Sequence, residues 1–88
     1  MNNSRAHAAL SYRFLSGRGE PKDPEQALAW AQRAIAGRYS RGHYYEGYAF
    51  YQLGKRAEAF ASMRRAQAAG VNGASETLAK WQQVADNE

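Results

Sequence analysis

Two stretches of the chain repeat one another. RAHAALSYRF, beginning at Arg5, and RGHYYEGYAF, beginning at Arg41, lie 36 residues apart and share four identities in ten positions. Arg5 matches Arg41, His7 matches His43, Tyr12 matches Tyr48 and Phe14 matches Phe50. The segments that follow also correspond. Ala27 matches Ala59 and Ala34 matches Ala66, now at an offset of 32, because the first loop is four residues longer. A period in the mid-thirties, built from two apolar segments and a turn, marks an alpha-helical repeat array.

Turn residues cut the chain into five helix-length pieces, roughly 4–16, 24–37, 40–53, 55–69 and 74–86. The breaks are SGRGEP, GRYS, LGK and GVNG. Asp23, Pro24 and Gln26 predict a capped start for the second piece. Ala27, Ala31, Ala34 and Ile35 share one face of it, with Trp30 beside them. Ala59, Phe60, Met63 and Ala66 form a similar face in the fourth piece, while Lys55, Arg56, Arg64 and Arg65 point largely elsewhere. The third piece, GHYYEGYAFYQLG from Gly42, is rich in strand-favouring aromatics. Its spacing nevertheless rejects a strand. Tyr44 and Tyr45 are adjacent, as are Phe50 and Tyr51, and Tyr44, Tyr48 and Tyr51 follow the i, i+4, i+7 rule of a helix.

These residues resemble a known family. LSYRFLSGRGEPKDPEQALAWAQRA is similar to the Sel-one-like repeat, a relative of the tetratricopeptide repeat. Leu10, Phe14, Gly17, Gly19, Asp23, Ala27, Trp30 and Ala34 stand on its marked positions, with Ser11 in place of the first glycine and Glu20 in place of a valine. Residues 40–70 resemble a plain tetratricopeptide repeat through Gly47, Phe50, Gly54, Glu58, Ala59 and Ala66. Glu46 stands there for the usual leucine and His43 for a common tryptophan. The resemblance implies an all-α chain: one domain over 1–88, forming a short right-handed alpha-alpha superhelix, or solenoid. Repeat one would be 4–38, repeat two 40–70, and 74–86 a C-terminal capping helix. Trp81 falls at the small position of that last helix, where its bulk would obstruct a following one. Gly47 is expected to let the two helices of its unit approach closely.

Composition removes several functions. The 88 residues suffice for one domain. Cysteine is absent, which excludes disulfides and thiolate chemistry. No apolar run reaches the roughly 18 residues of a membrane span. MNNSRAHAAL lacks the basic-then-apolar order of a secretory signal, so a cytoplasmic location is expected and no membrane partner. His7 and His43, on successive parallel helices roughly 9 Å or more apart, predict packing roles and no metal site. SGRGEPKD lacks the spacing of a phosphate loop, and its glycines read as turn residues. No nucleophile–base or acid–base pair appears. An enzyme is not expected, and neither is a cofactor.

The candidate site is a groove. In tetratricopeptide arrays the first helix of each unit lines a concave face, and the resemblance implies that this face binds a peptide segment or partner helix. Carried onto this chain, it takes Arg5, Ala8 and Tyr12 from unit one and Arg41, Tyr44, Tyr48, Tyr51 and Gln52 from unit two. The capping helix adds Leu78 and Gln82. Tyr45 and Phe50 are expected to turn away into the core. Tyrosine supplies rigid contact area with a polar tip, and Arg5 and Arg41 suit a carboxylate. The same tyrosines suit plain packing between helices. The leading expectation is a non-enzymatic protein-binding adaptor. The net charge of +4, with +6 carried by residues 1–65, leaves a nucleic-acid-binding basic module as an alternative. Exposed aromatics on a thin core leave self-association, as a homodimer, as another.

Overall fold

Asp23 begins the second helix. In the computed structural model, which describes residues 3–87, its Oδ1 accepts a hydrogen bond from the Gln26 backbone N–H at 3.2 Å, and Pro24 opens the helical turn. Asn3 caps the first helix in the same way through Ala6 N–H at 3.3 Å. The described residues form five helices, α1 Ser4–Ser16, α2 Pro24–Ala36, α3 Arg41–Gln52, α4 Arg56–Ala68 and α5 Ala74–Asp86. Each lies where the turn residues divide the sequence, and no strand occurs among the described residues.

Three of the connections close alike. The N–H of Tyr39, Lys55 and Val71 bonds back to the carbonyl of Ala34, Phe50 and Ala66 respectively. This six-to-one bond satisfies a helix-end carbonyl and requires a left-handed residue just before it. Gly54 and Gly70 provide that residue after α3 and α4, but Arg38 provides it after α2, with φ of 66°.

The helices pack in succession, α1 on α2, α2 on α3, α3 on α4 and α4 on α5, and α1 also touches α3. Such a pattern is consistent with a helical repeat. Alanine makes it possible. Ala27, Ala31, Ala34, Ala49, Ala59, Ala66 and Ala74 are fully buried, so neighbouring helices meet almost backbone to backbone. Met63, Leu15 and Trp81 supply the bulk between them. The faces expected on α2 and α4 are buried at their alanines and at Met63, while Trp30, Ile35 and Phe60 are half-buried at the margin.

Gly47 has the close neighbour expected of it. A β-carbon there would lie 2.9 Å from Met63 Cε and 3.3 Å from the Ala59 carbonyl oxygen. Ser11 stands at the equivalent place in α1 and solves the same contact differently. Its hydroxyl, wholly buried, donates to the carbonyl of Ala27 at 2.7 Å. Gly42 is tighter still. A β-carbon there would come 2.8 Å from Ile35 Cγ1 and 3.0 Å from the Ala31 carbonyl oxygen.

The last helix departs from expectation. Trp81 does not project towards the place of a further helix; it is turned inward and only 5% exposed. It stacks on Tyr51, with centroids 4.4 Å apart and planes 13° from parallel, and meets Tyr48 and Phe60 edge-on at 5.5 and 5.7 Å. Burying so large an aromatic outweighs any gain from leaving it at the rim. No helix of the described residues is long and apolar enough to cross a membrane.

Candidate functional site

A cleft of about 280 Å³ opens between α1 and α3. Tyr12, Leu15 and Ser16 form the α1 wall, and Tyr44, Tyr45, Tyr48 and Gln52 form the α3 wall. The repeat accounts for part of it, because Tyr12 is the equivalent of Tyr48 and Ser16 of Gln52, while Tyr44, Tyr45 and Leu15 have no repeat-equivalent in the lining. Helical periodicity puts residues three and four apart on one face, so each wall is one stripe of its helix. Gln52 ties the walls together through its Nε2, which donates to the Leu15 carbonyl at 3.4 Å.

The four tyrosines hold one another in place. Tyr12 leans on Tyr45, with centroids 6.0 Å apart, and Tyr44 meets Tyr45 and Tyr48 edge-on at 5.7 and 5.1 Å. These offset and edge-on geometries suit the ring quadrupoles. The back of the α3 wall rests on α5. Tyr48 shares a hydrogen bond with Thr77 Oγ1 at 3.1 Å, and Thr77 donates to the Gly73 carbonyl at 2.8 Å. Burial raises the Tyr44 hydroxyl above the usual phenol pKa of 10.0, and the neighbouring Tyr48 adds to this, while Thr77 and then Arg41 work the other way. Tyr12 is the exposed member, 47% accessible on the outer lip.

Four of the residues assigned to the groove therefore meet in one place: Tyr12, Tyr44, Tyr48 and Gln52. Arg5 is exposed on α1 and Arg41 half-buried on α3, each two helical turns before the cleft tyrosine of its helix. Tyr51 is not on the cleft but lies beneath Trp81. Leu78 is half-buried against the α4–α5 core, and Gln82 is exposed, donating to Asp86 at 3.0 Å. Ala8 is buried rather than presented. Tyr45 corrects the expectation most. It packs against the core of Leu15, Ala27 and Ala49 as expected, yet it does not turn away from the cleft but lines it between Tyr12 and Tyr44. Adjacent helical residues differ by only about 100°, and α1 sits where both rings can reach it. Phe50 does pack against the core beside α4 and α5. Leu15 and Ser16 were missed, although carrying the 36-residue offset back from Gln52 leads directly to Ser16.

A second polar feature lies on the other side of α3. Glu46, 8% exposed, accepts from Ser62 Oγ at 2.8 Å and from Gln32 Nε2 at 3.4 Å, while His43 Nδ1 stands 3.8 Å away. The equivalents of Glu46 and Ser62 in the first unit are Leu10 and Trp30. An apolar pair in one unit is thus replaced by a hydrogen-bonded pair in the other. His7 packs on Trp30, with ring centroids 5.4 Å apart, and the Arg33 guanidinium lies over the Trp30 ring, 4.7 Å from its centroid. The two histidines belong to separate clusters, and no group of three or more potential metal ligands occurs among the described residues. No protein-family model, no curated protein and no solved structure matches this chain.

Proposed function

We propose that the chain is a short tetratricopeptide-like, right-handed helical solenoid that works as a non-enzymatic adaptor, holding a segment of a protein partner in the tyrosine cleft. One observation carries this reading. Residues of α1 and α3, among them the repeat-equivalent pairs Tyr12 and Tyr48 and Ser16 and Gln52, form an open cleft whose outermost ring, Tyr12, is left nearly half exposed. A large aromatic left in water forgoes burial energy of about 1.5–3 kcal/mol, and aromatic anchors of this kind dominate protein interfaces. The remaining tyrosines are fixed by their neighbours, so little side-chain entropy is lost when a partner binds.

The test is selection from a random displayed-peptide library, run in parallel against the wild type and Tyr12→Ala. Tyr12 carries little of the fold, and circular dichroism should show the same helical content in both. The wild type is expected to enrich one related set of peptides that Tyr12→Ala fails to enrich. Identical enrichment by both proteins would remove the cleft from consideration. Binding of single-stranded nucleic acid that survives the same substitution would favour the basic-module reading instead.

A further inference from the structure

The walls of the cleft restrict what it can hold. Both are helices, so their backbone N–H and C=O groups are bonded along the helix except in the last turn, where Gln52 takes the Leu15 carbonyl. A partner strand would find no edge to pair with. A partner helix is about 10–12 Å across, and its anchors at i, i+4 and i+7 span about 10 Å. A cleft of about 280 Å³, at the lower edge of the roughly 300–1,000 Å³ of small-molecule pockets, has room for one or two side chains. An extended segment that inserts one compact ring suits a cleft of this size.

The chemistry of the lining narrows this further. The cleft presents aromatic faces and side-chain donors. No hydrogen bond engages the hydroxyls of Tyr12 or Tyr45 among the described residues, and Gln52 spends one donor on Leu15. A polyproline-II segment is the complement of such a surface. It has flat rings, carbonyls without internal partners, and at each proline no N–H that needs an acceptor. Its conformation is also largely set before binding, which limits the entropy cost in so small a site.

Charge fixes the flank. Helix α1 contains Arg5 and Arg13 and no acidic residue. The single acidic residue of α3, Glu46, is turned inward to Ser62 and Gln32. Arg5 and Arg41 stand seven residues before Tyr12 and Tyr48, which is about 10 Å along a helix and on the same face. Three residues of polyproline II cover about 9 Å.

We infer that the cleft takes an extended, proline-bearing segment, with a carboxylate about three residues from the inserted proline lying over Arg5 and Arg41. This rests on the adaptor reading above and names the partner's chemistry. Fluorescence anisotropy with short labelled peptides tests it: a proline-rich peptide with a glutamate at that spacing, its proline-to-alanine form, and its glutamate-to-glutamine form. The first should bind, and losing the prolines or introducing Tyr12→Ala should each weaken it about tenfold. Glutamine in the peptide, or Arg41→Gln in the protein, should cost about twofold to fivefold, and combining the two should cost little more than either alone. Equal binding of the alanine peptide, indifference to the glutamate, or tighter binding of a single-stranded oligothymidine at the same salt overturns the inference. If library-selected peptides lacking proline still depend on Tyr12, the proline assignment fails and the adaptor reading stands. If no peptide of either kind responds to Tyr12→Ala, both fail. The peptide substitutions leave the protein untouched, so the result does not depend on a variant that folds poorly.

Discussion

Gly42 and Gly47 sit on one helix and serve opposite neighbours. Gly47 meets α4 mainly through the flexible end of Met63, whereas Gly42 meets α2 at Ile35 and at the backbone of Ala31. Replacing either by alanine gains about 1 kcal/mol of helix propensity. At Gly47 the Met63 methyl can move aside, so the net change should stay within about 1 kcal/mol. At Gly42 the backbone must shift, and Gly42→Ala should be about 1–2 kcal/mol less stable than Gly47→Ala. Urea unfolding of both variants checks the order, and equal midpoints would contradict it. The role of Gly47 is legible from the repeat alone, because its partner belongs to the same helix pair. The role of Gly42 is not, because its partners lie across the junction between pairs and no motif residue marks it. Glu46 is also opaque in the sequence, where it reads as an intruder at an apolar position. Its acceptance from Ser62 and Gln32 explains it. Glu46→Leu alone should cost about 1–3 kcal/mol by stranding the Ser62 hydroxyl, and adding Ser62→Ala should recover most of that loss. Thermal unfolding of the two singles and the double gives the coupling directly.

At the scale of elements, α5 is the piece whose packing was least legible in the sequence. The turn signal GVNG and the length of the last segment locate it well, since Ala74–Asp86 coincides with the expected 74–86. Its orientation could not be read from periodicity, because repeat alignment alone put Trp81 on the wrong side. Trp81 instead fastens α5 to Tyr51, Tyr48 and Phe60. Tyr44, Tyr48 and Tyr51 obey one helical spacing yet part company for this reason. Tyr51 lies under the tryptophan, while Tyr44 and Tyr48 divide their surfaces between α5 and the cleft. Trp81→Ala should cost about 3–5 kcal/mol, a large part of what a domain of this size has, about 4–13 kcal/mol. Hydrogen exchange should show α5 losing protection before α2 and α3. Uniform loss across all helices would mean that α5 is not a separable brace.

Over the whole molecule, all five helices were legible in the sequence, because capping residues, turn glycines and alanine periodicity all mark the same boundaries. The cleft was legible only in part. The repeat offset leads to Tyr12, Tyr48 and Gln52, but nothing in one dimension says how wide a face of α3 turns towards α1. Tyr45 and Leu15 were lost for that reason. The +6 carried by residues 1–65 also takes on a location, with Arg5 and Arg41 on the helices that line the cleft and no competing acid exposed there. The most direct measurement is a backbone chemical-shift map of the labelled protein, titrated with the proline-and-glutamate peptide. Shifts concentrated on α1 near Tyr12 and Ser16, and on α3 at Tyr44, Tyr45 and Gln52, with the outer faces of α2 and α4 silent, are the expected result. Shifts centred on α2 and α4, or none at saturating peptide, would contradict the assignment of the cleft as the binding site.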